Sequence, residues 1–212
     1  MDVKLGSAVA VTALASGCCF SSPPPPGVHA PGSQASPGTC PSIETAILGT
    51  WTRDGFVEEY RAGGVYVLNG HEGTIRWLAN GHAMLEVPPN LHEEYVLALA
   101  DEGVLLASDP NGIGTIYQRT SPSPGYDRDC WNIEAEIVGG WAGGTFVETY
   151  GADGSYRVNE LAGSYHFTRN GLVHIETQSG TGDYQIALTS PTTAIAMLDR
   201  SGARVVEYTR TP

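Results

Sequence analysis

The feature that most constrains this chain is that it repeats itself. Sliding the sequence by 90 positions aligns Cys40–Glu86 with Cys130–Glu176 without a gap, and roughly 18 of the 47 pairs are identical. The matches include Cys40/Cys130, Trp51/Trp141, Phe56/Phe146, Glu58/Glu148, Tyr60/Tyr150 and Tyr66/Tyr156. Beyond Glu86, small shifts bring Tyr95 onto Tyr184, Tyr117 onto Tyr208 and Arg119 onto Arg210. A self-match at a fixed period marks an internal duplication. One fold must therefore serve residues 40–122 and again 130–212, with a linker over 123–129.

Each copy reads as short strands divided by turn signals. In the first, the spacing predicts strands over Thr50–Arg53, Phe56–Ala62, Val65–Asn69, Thr74–Leu78, His82–Val87, Glu94–Ala100, Val104–Ser108 and Thr115–Arg119. Gly63-Gly64, Asn80-Gly81 and Asn111-Gly112 separate some of them, as Asp153-Gly154, Asn170-Gly171 and Ser201-Gly202 do in the second copy. Gly and Asn tolerate positive φ, which suits tight hairpins between antiparallel neighbours. With 27 glycines, 14 prolines and only 16% charged residues, the composition also favours β structure over helical bundles. The expected fold class is all-β: two tandem antiparallel up-and-down β-barrels of about eight short strands each.

Alternation assigns the faces. Phe56, Glu58 and Tyr60 share one side of the second strand, with Val57, Glu59 and Arg61 on the other. Tyr66 with Leu68, Ile75 with Trp77, and Tyr95 with Leu97 and Leu99 complete the inward set. A helical turn should precede each first strand, with Ser42 and Asn132 placed to cap it and isoleucines four apart on one side.

The N-terminal part is of another kind. Residues 1–17 read as a signal peptide, because the uncharged run Leu5–Ser16 is too short to span a bilayer. Leu14-Ala15-Ser16-Gly17-Cys18 resembles a bacterial lipoprotein signal, in which small residues precede the cysteine that takes the lipid. That resemblance implies lipidation at Cys18 and a place in the cell envelope, facing the periplasm or exterior. Plain secretion is the alternative. Residues 18–39, with Pro23–Pro26 in succession, read as a disordered Pro/Ser/Gly-rich tether.

Gly49-Thr50-Trp51 and Gly139-Gly140-Trp141 open the first strand of each copy, and Tyr117-Gln118-Arg119 and Tyr208-Thr209-Arg210 close the last. With these motifs each repeat resembles a short lipocalin-like (calycin-type) barrel. The resemblance implies that the final arginine lies across the first tryptophan where the barrel closes, pairing Trp51 with Arg119 and Trp141 with Arg210. Each copy is shorter than a typical lipocalin and its inward set is rich in large aromatics. A small barrel is then expected to be filled by side chains rather than hollow.

Glu58 and Glu148 point inward between aromatics, next to Tyr60 and Tyr150. A buried carboxylate must be paired, hydrogen-bonded or neutralised. The four residues are candidate ligand-binding positions, and the competing reading is a structural hydrogen bond to a tyrosine or to the terminal arginine. Cys40 and Cys130 occupy equivalent places ahead of the repeats. In an oxidising compartment they are expected to form an inter-repeat disulfide, with two free thiols as the alternative.

The six histidines, His29 in the tether among them, follow no zinc or calcium ligand spacing and read as solvated surface residues. No nucleophile elbow, phosphate loop, dinucleotide fingerprint or zinc-type cysteine pair is present. No catalytic residue, metal or cofactor is assigned. The net charge of -12, with no basic block, argues against nucleic acid and against direct binding to anionic headgroups. Any membrane contact would run through the lipid anchor alone. The expected function is a non-catalytic envelope lipoprotein that engages an envelope protein or small ligand at the barrel mouths or the inter-repeat groove. The alternative is a carrier of small hydrophobic molecules with a true cavity.

Overall fold

A computed structural model of the chain describes residues 40–212 except 170, 191–192 and 199–200, and the backbone alone of residues 197–198. The expected signal peptide, the lipidation at Cys18, the tether and His29 lie outside the described residues.

The chain is all-β. After a single helical turn, α1 (Ile43–Ala46), come β1 (Gly49–Arg53), β2 (Phe56–Arg61), β3 (Val65–Leu68), β4 (His71–Trp77), β5 (His82–Val87), β6 (Leu91–Asp101), β7 (Val104–Ser108) and β8 (Gly114–Arg119). Each pairs antiparallel with the next, and β8 returns to β1 through Trp51 opposite Arg119, so the ring closes. The second copy repeats the order: α2 (Ile133–Glu136), then β9 (Gly139–Gly143), β10 (Phe146–Tyr150), β11 (Ser155–Val158), β12 (Leu161–Arg169), β13 (Leu172–Thr177), β14 (Gly180–Ser190), β15 (Thr193–Leu198) and β16 (Val206–Arg210). It closes through Trp141 opposite Arg210. Closure leaves neither ring with an open edge strand.

Strand limits depart from the sequence reading where the turns are tighter than expected. Asn69 and Gly70 both take positive φ, 49° and 83°, and make a two-residue hairpin. Strand β4 therefore starts at His71 rather than Thr74. Ser42 does not cap α1 with its side chain, and it is its main-chain carbonyl that accepts from Thr45 and Ala46. Asn132 does cap α2, accepting from the Ala135 amide.

In both barrels the helical turn plugs one end. Ile43, Ile47, Ile133 and Ile137 are buried, and the indole nitrogens of Trp51 and Trp141 donate to the carbonyls of Ile47 and Ile137 at 2.8 and 2.7 Å. The Arg119 guanidinium lies 4.1 Å from the Trp51 ring centroid while donating to the carbonyls of Ala46 and Leu48. Arg210 repeats this over Trp141 at 4.8 Å, donating to Glu136 and Val138. Desolvated contacts of this kind contribute of order 1 kcal/mol or more each.

The barrels meet along β6 and β14, and the positions that meet there are equivalent. Leu99 pairs with Leu188, each its counterpart in the other copy. Ile113 bridges Arg204, again the same position counted back from Tyr117 and Tyr208, with Gly114 donating to Ala203 and Val205 to Gly112. Cys40 and Cys130 form a disulfide with their Cα atoms 5.4 Å apart. Three self-paired positions define an internal twofold axis, the isologous arrangement of a homodimer. Two of them lie at the plugged end and Ile113/Arg204 at the other, so the axis runs beside the barrels and both unplugged ends open on the same face.

Outward positions on the meeting strands are buried: Val96, Ala98, Ala100 and Leu106 in the first copy, Gln185, Ala187, Thr189 and Ile195 in the second. The turn glycines explain the close approach. A Cβ on Gly81 would stand 2.7 Å from Thr189, and one on Gly171 would stand 2.8 Å from Ala100, the position equivalent to Thr189.

Candidate functional site

Alternation along β2 carries Phe56, Glu58 and Tyr60 down the inner wall of the first barrel from its open end. Phe56 at the rim is 47% exposed, whereas Glu58 and Tyr60 are 6% and 2%. Tyr66 and Leu68 of β3, Tyr95 and Leu97 of β6 and Tyr117 of β8 stand on the same wall. They line a half-open chamber of about 160 Å³, with Arg53 and Leu91 completing its lining near the rim. The expectation of a filled interior is thus corrected for this barrel.

The second barrel does meet that expectation. Its corresponding space, around Glu148, Tyr150 and Tyr208, is only about 10 Å³. Two inward exchanges distinguish the copies nearby. Tyr165 stands where the first copy has Ile75, and its ring meets Tyr150 edge-on at 5.1 Å and Phe167 at 6.0 Å. Gly143 stands where the first copy has Arg53, and a Cβ there would come within 2.8 Å of the Tyr208 ring. Without a side chain at that position, Tyr208 settles against the strand.

Both carboxylates are held by tyrosines. Tyr150 donates to Oε2 of Glu148 and Tyr208 to Oε1, both at 2.6 Å, so both oxygens are held by protein. In the first barrel Tyr60 donates to Oε2 of Glu58 at 2.7 Å, with further hydrogen bonding from Tyr117 and Tyr66. Burial pushes the Glu58 carboxyl above its ordinary range. The tyrosine hydrogen bonds and the charge of Arg53 act in the other direction without cancelling it. Burial and the neighbouring carboxylate raise the phenols of Tyr60, Tyr66 and Tyr117, which stay protonated donors through the neutral range.

Arg53 is fixed at the rim. Its Nη1 donates to Thr115 Oγ1 at 2.7 Å, its Nε stands 3.4 Å from Asp54, and its guanidinium lies 5.8 Å from the Phe56 ring centroid. Tyr95 turns its hydroxyl to Glu93 at 3.2 Å and is pushed up to about 12 by burial and that carboxylate. The polar lining is therefore one carboxylate, one guanidinium and four phenols, with no Ser, Cys or His among them.

No protein-family model matches the chain, and no curated protein is similar to it.

Of the residues singled out in the sequence, Glu58 and Tyr60 lie together in the chamber, and Glu148 and Tyr150 lie together in the filled interior. Trp51, Arg119, Trp141 and Arg210 seal the plugged ends, with Trp51 and Trp141 paired in register with Glu58 and Glu148. Arg53, Tyr95 and Tyr117 escaped notice as site residues. Arg53 corresponds to Gly143 in the second copy, but Thr50 and Thr52 differ there as well, so the alignment did not single it out. His82 joins the copies, its Nδ1 2.8 Å from Glu94 and its Nε2 3.2 Å from Glu207. Because the two carboxylates sit on opposite ring nitrogens they do not converge on one point. Among the described residues no group of three or more His, Cys, Asp or Glu could hold a metal ion.

Proposed function

We propose that this protein is a non-catalytic binding protein of the cell envelope in which the first barrel takes a small ligand and the second serves as its rigid partner. The observation that carries this reading is the contrast between the copies. The same tyrosine-held carboxylate stands in a solid interior in one barrel and borders an open chamber in the other. A space of about 160 Å³ is far smaller than a drug-sized pocket, so the ligand is of single-ring size. Each barrel is read as a short lipocalin-like unit, on the arginine that crosses the first-strand tryptophan. Phenols that burial keeps protonated beside the carboxylate offer hydrogen-bond donors but no ready nucleophile, which favours binding over catalysis.

The address follows from the N-terminal sequence, with Cys18 as lipid site and residues 18–39 as spacer. Cys40, where that spacer meets the folded part, is at the plugged end.

The test is native mass spectrometry of the full chain recovered from an oxidising periplasm. A mass excess that vanishes on denaturation, and is lost with Leu68→Trp, which enlarges a side chain of the lining, is the expected result. A bare mass together with no uptake of any single-ring probe would refute the ligand reading.

A second reading draws on the exposed side chains at the open ends. Phe56 and Val57 in one barrel, and Phe146, Val147 and Leu161 in the other, stand 41–52% exposed on the shared open face. Such a surface suits a protein partner lying across both mouths.

A further inference from the structure

We infer that the chamber selects a small protonated amine, an aryl- or alkylammonium of about the size of benzylamine, with its nitrogen on the Glu58 carboxylate. This inference rests on reading the chamber as a ligand site and adds the chemical class.

Three observations carry it. First, Glu58 is a buried acid with no direct ion pair: among the described residues no Lys, Arg or His forms one with it, and the charge of Arg53 acts on it only from a distance. The one cation in the lining, Arg53, is engaged with Thr115 and Asp54 at the rim. A buried charge is stabilised chiefly by an opposite charge, and here the protein leaves that place to a ligand. Second, the surround is aromatic. Phe56, Tyr60, Tyr66, Tyr95 and Tyr117 line the chamber, and electron-rich rings around a carboxylate form an environment that attracts ammonium groups. Third, the size is right. An apolar cavity of about 150 Å³ accepts benzene, and the chamber has about 160 Å³ with Leu68, Leu85 and Leu97 forming its apolar wall. A ring or short chain bearing one amine fills it.

Charge and hydrogen bonding sharpen the choice. A carboxylate-bearing ligand would meet Glu58 head-on. A neutral alcohol could donate one hydrogen bond but would leave the buried charge uncompensated. The net charge of -12 favours the arrival of cations from solution.

The experiment is isothermal titration calorimetry on the full chain at neutral pH with benzylamine, benzyl alcohol and phenylacetate. Benzylamine is expected to bind one per chain, at least tenfold tighter than benzyl alcohol, with phenylacetate silent. The Glu58→Gln variant should lose at least tenfold in affinity for benzylamine and keep that for the alcohol, while Glu148→Gln changes neither. If Glu58→Gln does not fold, the comparison of the three probes on the unaltered protein still decides. Alcohol binding as tight as the amine, or preferred binding of phenylacetate, would overturn the amine assignment while the ligand reading stands. No heat with any probe, together with a bare native mass, would bring down both.

Discussion

Tyr208 donates to Oε1 of Glu148 at 2.6 Å, tying the last strand of the second barrel to β10 across the intervening β9. Tyr150 holds the other oxygen, so the carboxylate is part of the fold. Replacing Glu148 with Ala strands two buried hydroxyls. An unpaired buried polar group costs about 1–3 kcal/mol, so denaturant unfolding should show a loss of at least that size. Ligand uptake by the first barrel should be unchanged.

The exchange of Ile75 for Tyr165 between the copies can be reversed. Ile75→Tyr should set a second ring against Tyr60, as Tyr165 stands against Tyr150, and weaken uptake while leaving the far-ultraviolet spectrum intact. Tyr165→Ile should hollow the second barrel, lowering stability by about 1–3 kcal/mol, as large-to-small core changes do. Equilibrium unfolding of each variant checks both directions.

Glu58 makes stability depend on pH in a defined sense. Its carboxyl is raised in the folded state by burial, so the native protein holds a proton that the unfolded chain has released. That stabilisation is full below the unfolded carboxylate range and is lost as pH rises through the raised folded value. Relative to Glu58→Gln, the unaltered protein should gain stability as pH falls from neutral toward the ordinary carboxylate range. Denaturant midpoints of the two proteins at a series of pH values would reveal a flat difference if burial has no such effect. Amine affinity should fall over the same interval, because the protonated acid no longer carries the charge.

The Cys40–Cys130 bridge spans a separation of 90 residues. Closing a loop of that length stabilises by up to about 4–5 kcal/mol in the chain-entropy model. Unfolding with and without reductant, or of a Cys40→Ser/Cys130→Ser double variant, should show a loss that approaches this bound.

Gln185 is fully buried between the barrels, and neither amide atom finds a hydrogen-bond partner among the described residues. The equivalent position in the first copy is Val96. Gln185→Met keeps the shape and removes the unsatisfied groups, and a stability gain of about 1–2 kcal/mol is expected. Thermal unfolding at matched conditions measures it.

The barrels were legible in the sequence because their information is local. Hairpin dipeptides and period-two alternation placed Glu58 and Tyr60 on the inner wall without reference to any distant residue. The junction was also written there, in the unbroken apolar runs Val96–Ala100 and Val104–Ala107 that mark strands buried on both faces. Those runs read equally well as ordinary strand cores, and only the pairing of Leu99 with Leu188 says what covers them. The hollow barrel was not legible. It depends on how far the Tyr165 and Tyr208 rings reach once the cylinder has closed, a volume that no alternation pattern encodes. Tyr117 joins Glu58 for the same reason, through closure of β8 on β1.

The twofold pairing of the copies has an evolutionary consequence. A free barrel with this surface would find its mate only by diffusion, and would be paired or single according to its abundance. Joined on one chain, each half sees the other at an effective concentration on the order of millimolar, and pairing no longer depends on how much protein is made. Identity between the halves is then no longer required. One could harden into ballast while the other kept its hollow, a division of labour closed to a symmetric dimer encoded by a single short gene.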